Sequence, residues 1–117
     1  MKDYSAMSDF EINKAVAFKL GLDWSGVTEE NRFFYQTADY CNNPAYAWPI
    51  ITTNKISIIP RMDLWVAVKC SFVIDIDTPK LKSFIHASHS LEIPFCVDEN
   101  PLKAAMIVYL QMMEQKS

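Results

Sequence analysis

Residues 100–113 read NPLKAAMIVYLQMM, and this stretch gives the strongest structural signal in the chain. Asparagine suits the N-cap of a helix, and proline at the first helical position loses no hydrogen bond that the helix needs. Asp98 and Glu99 place negative charge beside the positive end of the helix dipole. An apolar stripe at helical spacing follows, formed by Leu102, Ala105, Met106, Tyr109 and Met113. The stretch therefore predicts a helix over residues 101–115.

A second Asn-Pro pair, Asn43-Pro44, predicts another helix from Ala45 to about Thr53. Pro49 lies inside this helix. Because proline cannot donate to the carbonyl group four residues back and crowds that turn, we expect a kink or a restart at Trp48-Pro49.

A third helix is predicted near the start of the sequence. Ser8 and Glu11 have the S-x-x-E spacing of a capping box, in which each side chain accepts a hydrogen bond from the other residue's backbone amide. Apolar residues then recur at helical spacing, and Gly21 suits the left-handed position that often ends a helix. This pattern predicts a helix over residues 9–20.

The strand signals lie between these helices. Residues 56–59 and 64–76 are rich in β-branched and aromatic side chains, and Pro60 either ends the first strand or marks an edge of the sheet. Residues 91–97 resemble a strand interrupted by proline, whereas residues 80–89 are ambiguous between a short helix and a strand. These segments predict an antiparallel sheet.

Two shorter strands are expected at residues 22–24 and 32–36, around a polar turn. The order of helices and strands favours an α+β fold, a layered sandwich in which a small antiparallel sheet packs against about three helices. The length of 117 residues fits one domain, which we place over residues 1–117.

Composition excludes several classes of function. Hydrophobic residues make up 50% of the chain and aromatic residues 13%, which favours a folded core over disorder. The net charge of −3 lacks the basic excess of a dedicated duplex nucleic-acid binder. Neither a signal peptide nor an apolar run long enough for a membrane span is apparent, so we expect a cytoplasmic protein that does not enter the membrane.

Residues capable of chemistry are few and widely spaced. Cys41, Cys70 and Cys96 form neither a zinc-binding pattern nor an evident disulfide framework, although Cys41 lies near a helix start, where a thiol pKa can be lowered. His86 and His89 would share a helix face, yet no metalloprotease glutamate accompanies them. We assign no catalytic residue, no metal ligand and no cofactor, and exposed histidines are the simpler interpretation.

The aromatic content is high for this size, and most of these rings are expected in the core. The candidate binding surface is formed by Tyr40, Asn42, Asn43 and Trp48, which flank a helix start whose free amides could hold a polar ligand or a partner's carboxylate. The alternative interpretation is a structural corner, with Asn43 as the cap and Trp48 in the core.

Three blocks of sequence carry a family resemblance. Residues 39–51 read DYCNNPAYAWPII, residues 4–13 read YSAMSDFEIN, and residues 100–108 read NPLKAAMIV. In this order they resemble the NinX-like family of tailed-phage and prophage proteins, a domain of unknown function. The pattern of Trp48 and the final helix is also similar, more weakly, to phage domains with helix, sheet and helix layers. The resemblance implies a small, non-essential phage accessory protein made in the bacterial cytoplasm, and it implies no reaction.

Two classes of binding function and one enzymatic function stay open. The first is a non-catalytic protein that binds an unidentified host factor. The second is an oligomer that sequesters a small nucleotide in a pocket lined by tryptophan or tyrosine beside a helix start. The third is a small enzyme, which would need His86, His89, Cys41 or Cys96 to converge in one cleft.

Overall fold

A computed structural model describes residues 4–69 and 93–115. In chain order these residues form α1 (Asp9–Lys19), α2 (Pro44–Asn54), β1 (Ser57–Arg61), β2 (Leu64–Val68), β3 (Phe95–Asp98) and α3 (Pro101–Gln115). The strands form an antiparallel sheet in the order β1-β2-β3. The predicted α+β fold, with a small antiparallel sheet packed against helices, is confirmed.

Helix α3 lies at the centre of the described fold, where it contacts both other helices and all three strands. Every residue from Ala104 to Leu110 is buried, so the helix is covered around its whole circumference. Ala104 and Ala105 have no side-chain bulk beyond Cβ, which lets neighbouring elements approach the helix closely. The predicted bounds of 101–115 agree with the structure.

Helix α1 begins with the predicted capping box. The Glu11 amide donates to Ser8 Oγ at 3.2 Å, and the Ser8 amide donates to Glu11 Oε1 at 3.4 Å. Ile12 and Val16 are fully buried and fix the inner face of the helix. Gly21 follows with a φ of 86°, a left-handed conformation that glycine adopts without a steric cost.

A kink or a restart was expected at Trp48-Pro49. Helix α2 runs unbroken through Pro49, so the restart does not occur. Ala45, Trp48 and Pro49 are all exposed, whereas Ala47 and Ile50 are buried. The proline therefore lies on the solvent side of the helix. The carbonyl group of Ala45, which loses its intrahelical donor, can be hydrated there instead, so the proline is tolerated.

Strand β1 includes Pro60 and forms one edge of the described sheet, which confirms the edge interpretation. A two-residue turn connects it to β2, because Arg61 pairs with Leu64. Val66, Ala67 and Val68 are all buried although they alternate between faces, so β2 is shielded from solvent on both sides. The predicted extension of this strand to residue 76 lies outside the described residues.

The two short strands expected at residues 22–24 and 32–36 are wrong, since both segments form turns and irregular backbone. Asp23 Oδ1 accepts from the Ser25 amide at 3.0 Å, and the Thr28 amide donates to Asn31 Oδ1 at 2.7 Å. Such local side-chain bonds give the backbone an alternative to strand pairing. The ambiguous segment 80–89 lies outside the described residues.

Candidate functional site

The starts of all three described helices meet at one polar cluster, here called the helix-start junction. Its members are Asp9, Asn13, Asp39, Cys41, Asn42, Asn100 and Lys103. Asn100 Nδ2 donates to the Cys41 carbonyl oxygen at 2.7 Å and to Asn42 Oδ1 at 3.0 Å. Asn42 Nδ2 in turn donates to Asp9 Oδ2 at 3.0 Å. The two Asn-Pro helix starts are therefore joined to each other and to the start of α1.

Asn13 is a buried residue of the junction and bonds to two of its other members. Its side chain is only 7% exposed. Asn13 Nδ2 donates to Asp39 Oδ1 at 2.9 Å, and Asn13 Oδ1 accepts from the Cys41 amide at 2.9 Å. These two bonds fix the loop before α2 against α1 and satisfy a buried backbone donor.

Lys103 connects α3 to the beginning of the chain. Its Nζ lies 3.1 Å from Asp9 Oδ1 and also donates to the Met7 carbonyl oxygen at 3.1 Å. The Asn42 bond is the largest influence that lowers the pKa of Asp9, and Lys103 lowers it further. Burial acts to lower the pKa of Lys103, but the bond to Asp9 and the nearby Asp98 raise it overall. Asp9 and Lys103 are therefore both charged at neutral pH.

Cys41 contradicts the suggestion of a lowered thiol pKa near a helix start. Its side chain is fully buried, and burial, reinforced by the negative charges of Asp9 and Asp39, raises the pKa of the thiol to about 12. The thiolate is the reactive form of cysteine. Cys41 is therefore an inert thiol with a structural role, and its Sγ donates to the Asp9 carbonyl oxygen at 3.7 Å.

The amides at the start of α2 are already bonded within the chain. Asn43 Oδ1 accepts from the Ala45 amide at 3.0 Å, and the Asn43 carbonyl oxygen accepts from the amides of Tyr46 and Ala47, both at 3.1 Å. Pro44 has no amide hydrogen. The donors that the sequence suggested for a polar ligand are therefore occupied by the cap itself.

The four residues of the sequence-based candidate surface lie in different environments. Asn42, Asn43 and Trp48 are exposed, and Trp48 retains 58% of its accessible surface. Tyr40 is buried, with its ring 6.3 Å from that of Trp24 and 6.1 Å from that of Tyr46. Asn43 caps α2 as predicted, but Trp48 is not in the core.

A second group of surface residues was not anticipated from the sequence. Residues 31–38, here called the aromatic loop, expose Phe33 at 79%, Phe34 at 82% and Tyr35 at 54%. The Arg32 guanidinium lies 4.5 Å from the centre of the Phe33 ring, and the rings of Phe34 and Tyr35 meet edge to face at 5.2 Å. The polar turn formers around Phe33 and Phe34 were the available signal that these rings do not enter a sheet.

Two concave sites flank the aromatic loop and share its residues 36–38. The acidic cleft, about 330 Å³, is lined by side chains that include Asp9, Asp39, Glu29, Arg32, Phe33 and Asn42. The aromatic pocket, about 390 Å³, is lined by Trp24, Tyr35, Tyr40 and Tyr46 together with smaller residues. The cleft therefore connects the junction to the loop, and the pocket lies on the loop's other side.

Among residues 4–69 and 93–115, there is no group of three or more His, Cys, Asp or Glu side chains that could hold a metal ion. His86, His89 and Cys70 lie outside the described residues, so the convergence required by the enzyme hypothesis stays a prediction. Each helix in the described part of the chain is too short or too polar to cross a membrane.

The fold and the site together define a small α+β protein whose helix starts are bonded to one another beside an exposed aromatic loop. The family model described as Bacteriophage P22, NinX matches residues 3–113, and the chain belongs to this family of phage proteins. The family resemblance seen in the sequence is confirmed. Neither a curated protein nor a solved structure matches the chain.

Proposed function

We propose that this phage protein is a non-catalytic binding protein that acts on a host factor in the bacterial cytoplasm. The observation that carries the proposal is the exposure of Phe33, Phe34 and Tyr35 in one short loop. Adjacent exposed rings of this size leave apolar surface in water, and such patches on folded proteins usually mark an interaction site.

The composition of the loop suits a protein partner. Aromatic residues and arginine are enriched among the side chains that contribute most to protein interfaces. Arg32 packs against the face of Phe33, so the charged and apolar groups form one continuous surface. A partner that covered this surface would remove the rings from water and would contact the positive charge of Arg32 beside them.

The candidate surface from the sequence joins the loop at the acidic cleft. Asn42 and Phe33 line the same cleft, and Asn43 and Trp48 are exposed at the start of α2 and within it. Tyr40 is buried and lines the aromatic pocket. The proposed binding face therefore includes the loop, the cleft and the exposed side of α2.

Affinity capture from phage-infected host lysate tests the proposal with matched variants. The double variant Phe33→Ser/Phe34→Ser removes the most exposed rings of the loop, and Met62→Ser removes an even more exposed side chain from the β1–β2 turn. We expect one specific protein to be retained by wild type and Met62→Ser and lost by the double variant. Identical capture by all three proteins, or no specific capture at any salt concentration, would contradict the proposal.

The aromatic pocket favours a second candidate, an oligomer that sequesters a small nucleotide. Trp24 and three tyrosines line the pocket, and Tyr46 belongs to the first turn of α2, as that hypothesis requires. A base could stack on these rings, but the occupied amides of α2 leave the phosphates with little to bind. A panel of nucleotides tested by thermal unfolding decides the case, since a ligand that binds the folded state raises the melting temperature.

A further inference from the structure

The aromatic pocket has walls made of contiguous rings. Trp24 and Tyr40 lie 6.3 Å apart with an interplanar angle of 31°, and Tyr40 and Tyr46 lie 6.1 Å apart at 68°. Trp24 and Tyr40 are almost fully buried and form the floor, whereas the half-exposed Tyr35 and Tyr46 form the rim. The pocket is therefore lined by rings that are inclined to one another.

The charged residue in the pocket lining is acidic. Asp23 lines the pocket, and among the described residues neither lysine nor arginine contributes to its lining. The side-chain and backbone bonds from Ser25 lower the pKa of Asp23, so this carboxylate is ionised at neutral pH. Lys14 Nζ donates to the Val27 carbonyl oxygen at 2.8 Å, but its side chain is not part of the lining.

We infer that the aromatic pocket binds an organic cation, the guanidinium or alkylammonium group of a partner's side chain. The faces of tryptophan and tyrosine rings carry negative electrostatic potential that attracts such groups, and Asp23 at the edge adds a full charge. The volume of about 390 Å³ falls within the roughly 300–1,000 Å³ of small-ligand sites. The inference rests on the proposed function in one respect, namely that the cationic group belongs to a protein partner.

An anionic ligand fits this pocket poorly. It would meet aromatic rings and the Asp23 carboxylate without a cationic side chain in the lining to balance it. A neutral apolar ligand would gain from contact with the rings but nothing from Asp23. Charge complementarity therefore separates the three ligand classes, and it favours the cation.

The test compares a cation with its neutral isostere. Choline and 3,3-dimethyl-1-butanol have nearly the same shape but differ in charge, and N-acetyl-arginine amide supplies the guanidinium group. Each is titrated into the full chain while the indole N–H signal of Trp24 is followed by NMR. We expect saturable shifts with choline or the arginine derivative, and none with the neutral alcohol at the same concentrations. Equal shifts with the alcohol would overturn the inference.

Variants on the rim make the test specific to the pocket. Tyr46→Leu removes a ring that is 47% exposed, and Asp23→Asn removes the charge while keeping an acceptor for the Ser25 amide. Tyr46→Leu should weaken binding of the cation by about 3- to 30-fold. Asp23→Asn should weaken it by about 2- to 5-fold, because solvent screens the exposed carboxylate. Phe18→Leu on α1 removes an equally exposed ring outside the pocket, so it is the control and should leave binding unchanged. Unchanged binding in folded Tyr46→Leu and Asp23→Asn would refute the assignment.

The source of the cation is decided by repeating the capture experiment with the rim variants. Loss of the captured protein in Tyr46→Leu, together with competition by N-acetyl-arginine amide, supports a partner side chain. Choline binding without any captured protein would leave the pocket assignment intact and remove the proposed function. Capture of a protein that depends on Phe33 and Phe34, with no cation binding, would support the proposed function and refute the pocket assignment.

Discussion

The helix-start junction and the aromatic loop both border the acidic cleft, but they are held in opposite ways. Bonds of the junction join residues far apart in sequence, such as Asn100 to Cys41 and Lys103 to Met7. Bonds of the loop are local, such as Asn31 to the Gly26 carbonyl oxygen. The junction is polar and internally satisfied, whereas the loop leaves three aromatic rings exposed. The junction therefore maintains the fold, whereas the exposed rings of the loop are the surface of the proposed binding function.

Asn13→Ala should give the largest loss of stability, because it breaks the junction at its buried residue. The substitution leaves the Cys41 amide without its acceptor, and an unsatisfied buried donor costs about 1–3 kcal/mol. Urea unfolding measures the effect. The control is Asn31→Ala, which removes only exposed bonds at the first residue of the loop. If both variants lose equal stability, the contrast between the two regions does not hold.

Asn100→Asp separates the cap of α3 from the junction. Aspartate still accepts from the amides of Leu102 and Lys103, but it cannot donate to the Cys41 carbonyl oxygen or to Asn42. We expect a loss of about 1–2 kcal/mol in the free energy of unfolding.

Asn43→Asp is the matched control for this substitution, since Asn43 caps α2 through its side-chain oxygen. An aspartate preserves that bond and adds favourable charge at the helix start. The free energy of unfolding of Asn43→Asp should stay within about 0.5 kcal/mol of the wild-type value. A loss as large as that of Asn100→Asp would argue that the junction bonds of Asn100 contribute little.

Acid should weaken the junction through Asp9. Because Asn42 and Lys103 lower the folded-state pKa of Asp9 below its ordinary 3.8, the ionised carboxylate stabilises the fold above that value. This contribution disappears as the pH falls through the lower, folded-state pKa. The stability difference between wild type and Asp9→Asn should therefore shrink on acidification. Thermal unfolding across the acid range checks this, and a difference that does not change with pH would exclude the Asp9 linkage.

Phe33→Ser/Phe34→Ser should have the smallest effect on stability. Both rings are about four-fifths exposed, and surface substitutions of this kind usually change stability by within about 0.5 kcal/mol. The same urea experiment measures it. A loss comparable to that of Asn13→Ala would mean that these rings support the fold, and the loop would no longer qualify as a free binding surface.

Local signals explain why much of the described fold was predictable. The capping residues Ser8, Asn43 and Asn100 act within one helical turn, and their partners can be read from spacing alone. The two strands predicted within residues 22–36 were wrong, because the aromatic content of these residues was interpreted as strand propensity. Strand propensity depends on a neighbouring strand to pack against, and the bonds of Asp23 and Asn31 favoured turns instead.

The candidate site was less predictable, because it depends on long-range contacts. The spacing of Asn43 identified a cap but could not show that Asn42 and Asn100 bond to each other. Hydrophobicity suggested a buried place for Trp48, yet the phase of α2 puts it beside Pro49 on the solvent side. Which face of a helix is covered is decided by its tertiary neighbours, and the local pattern of one segment does not show them.

The central position of α3 has a consequence for the order of folding. This helix touches every other described element, and Lys103 closes a contact with Met7 across most of the chain. Contacts of such long sequence separation form slowly, because a large loop must close first. During synthesis, α1, α2 and the first two strands would emerge from the ribosome without the helix that covers their apolar faces. The nascent chain is therefore expected to stay incompletely folded, and open to chaperones, until residues 101–115 have been released.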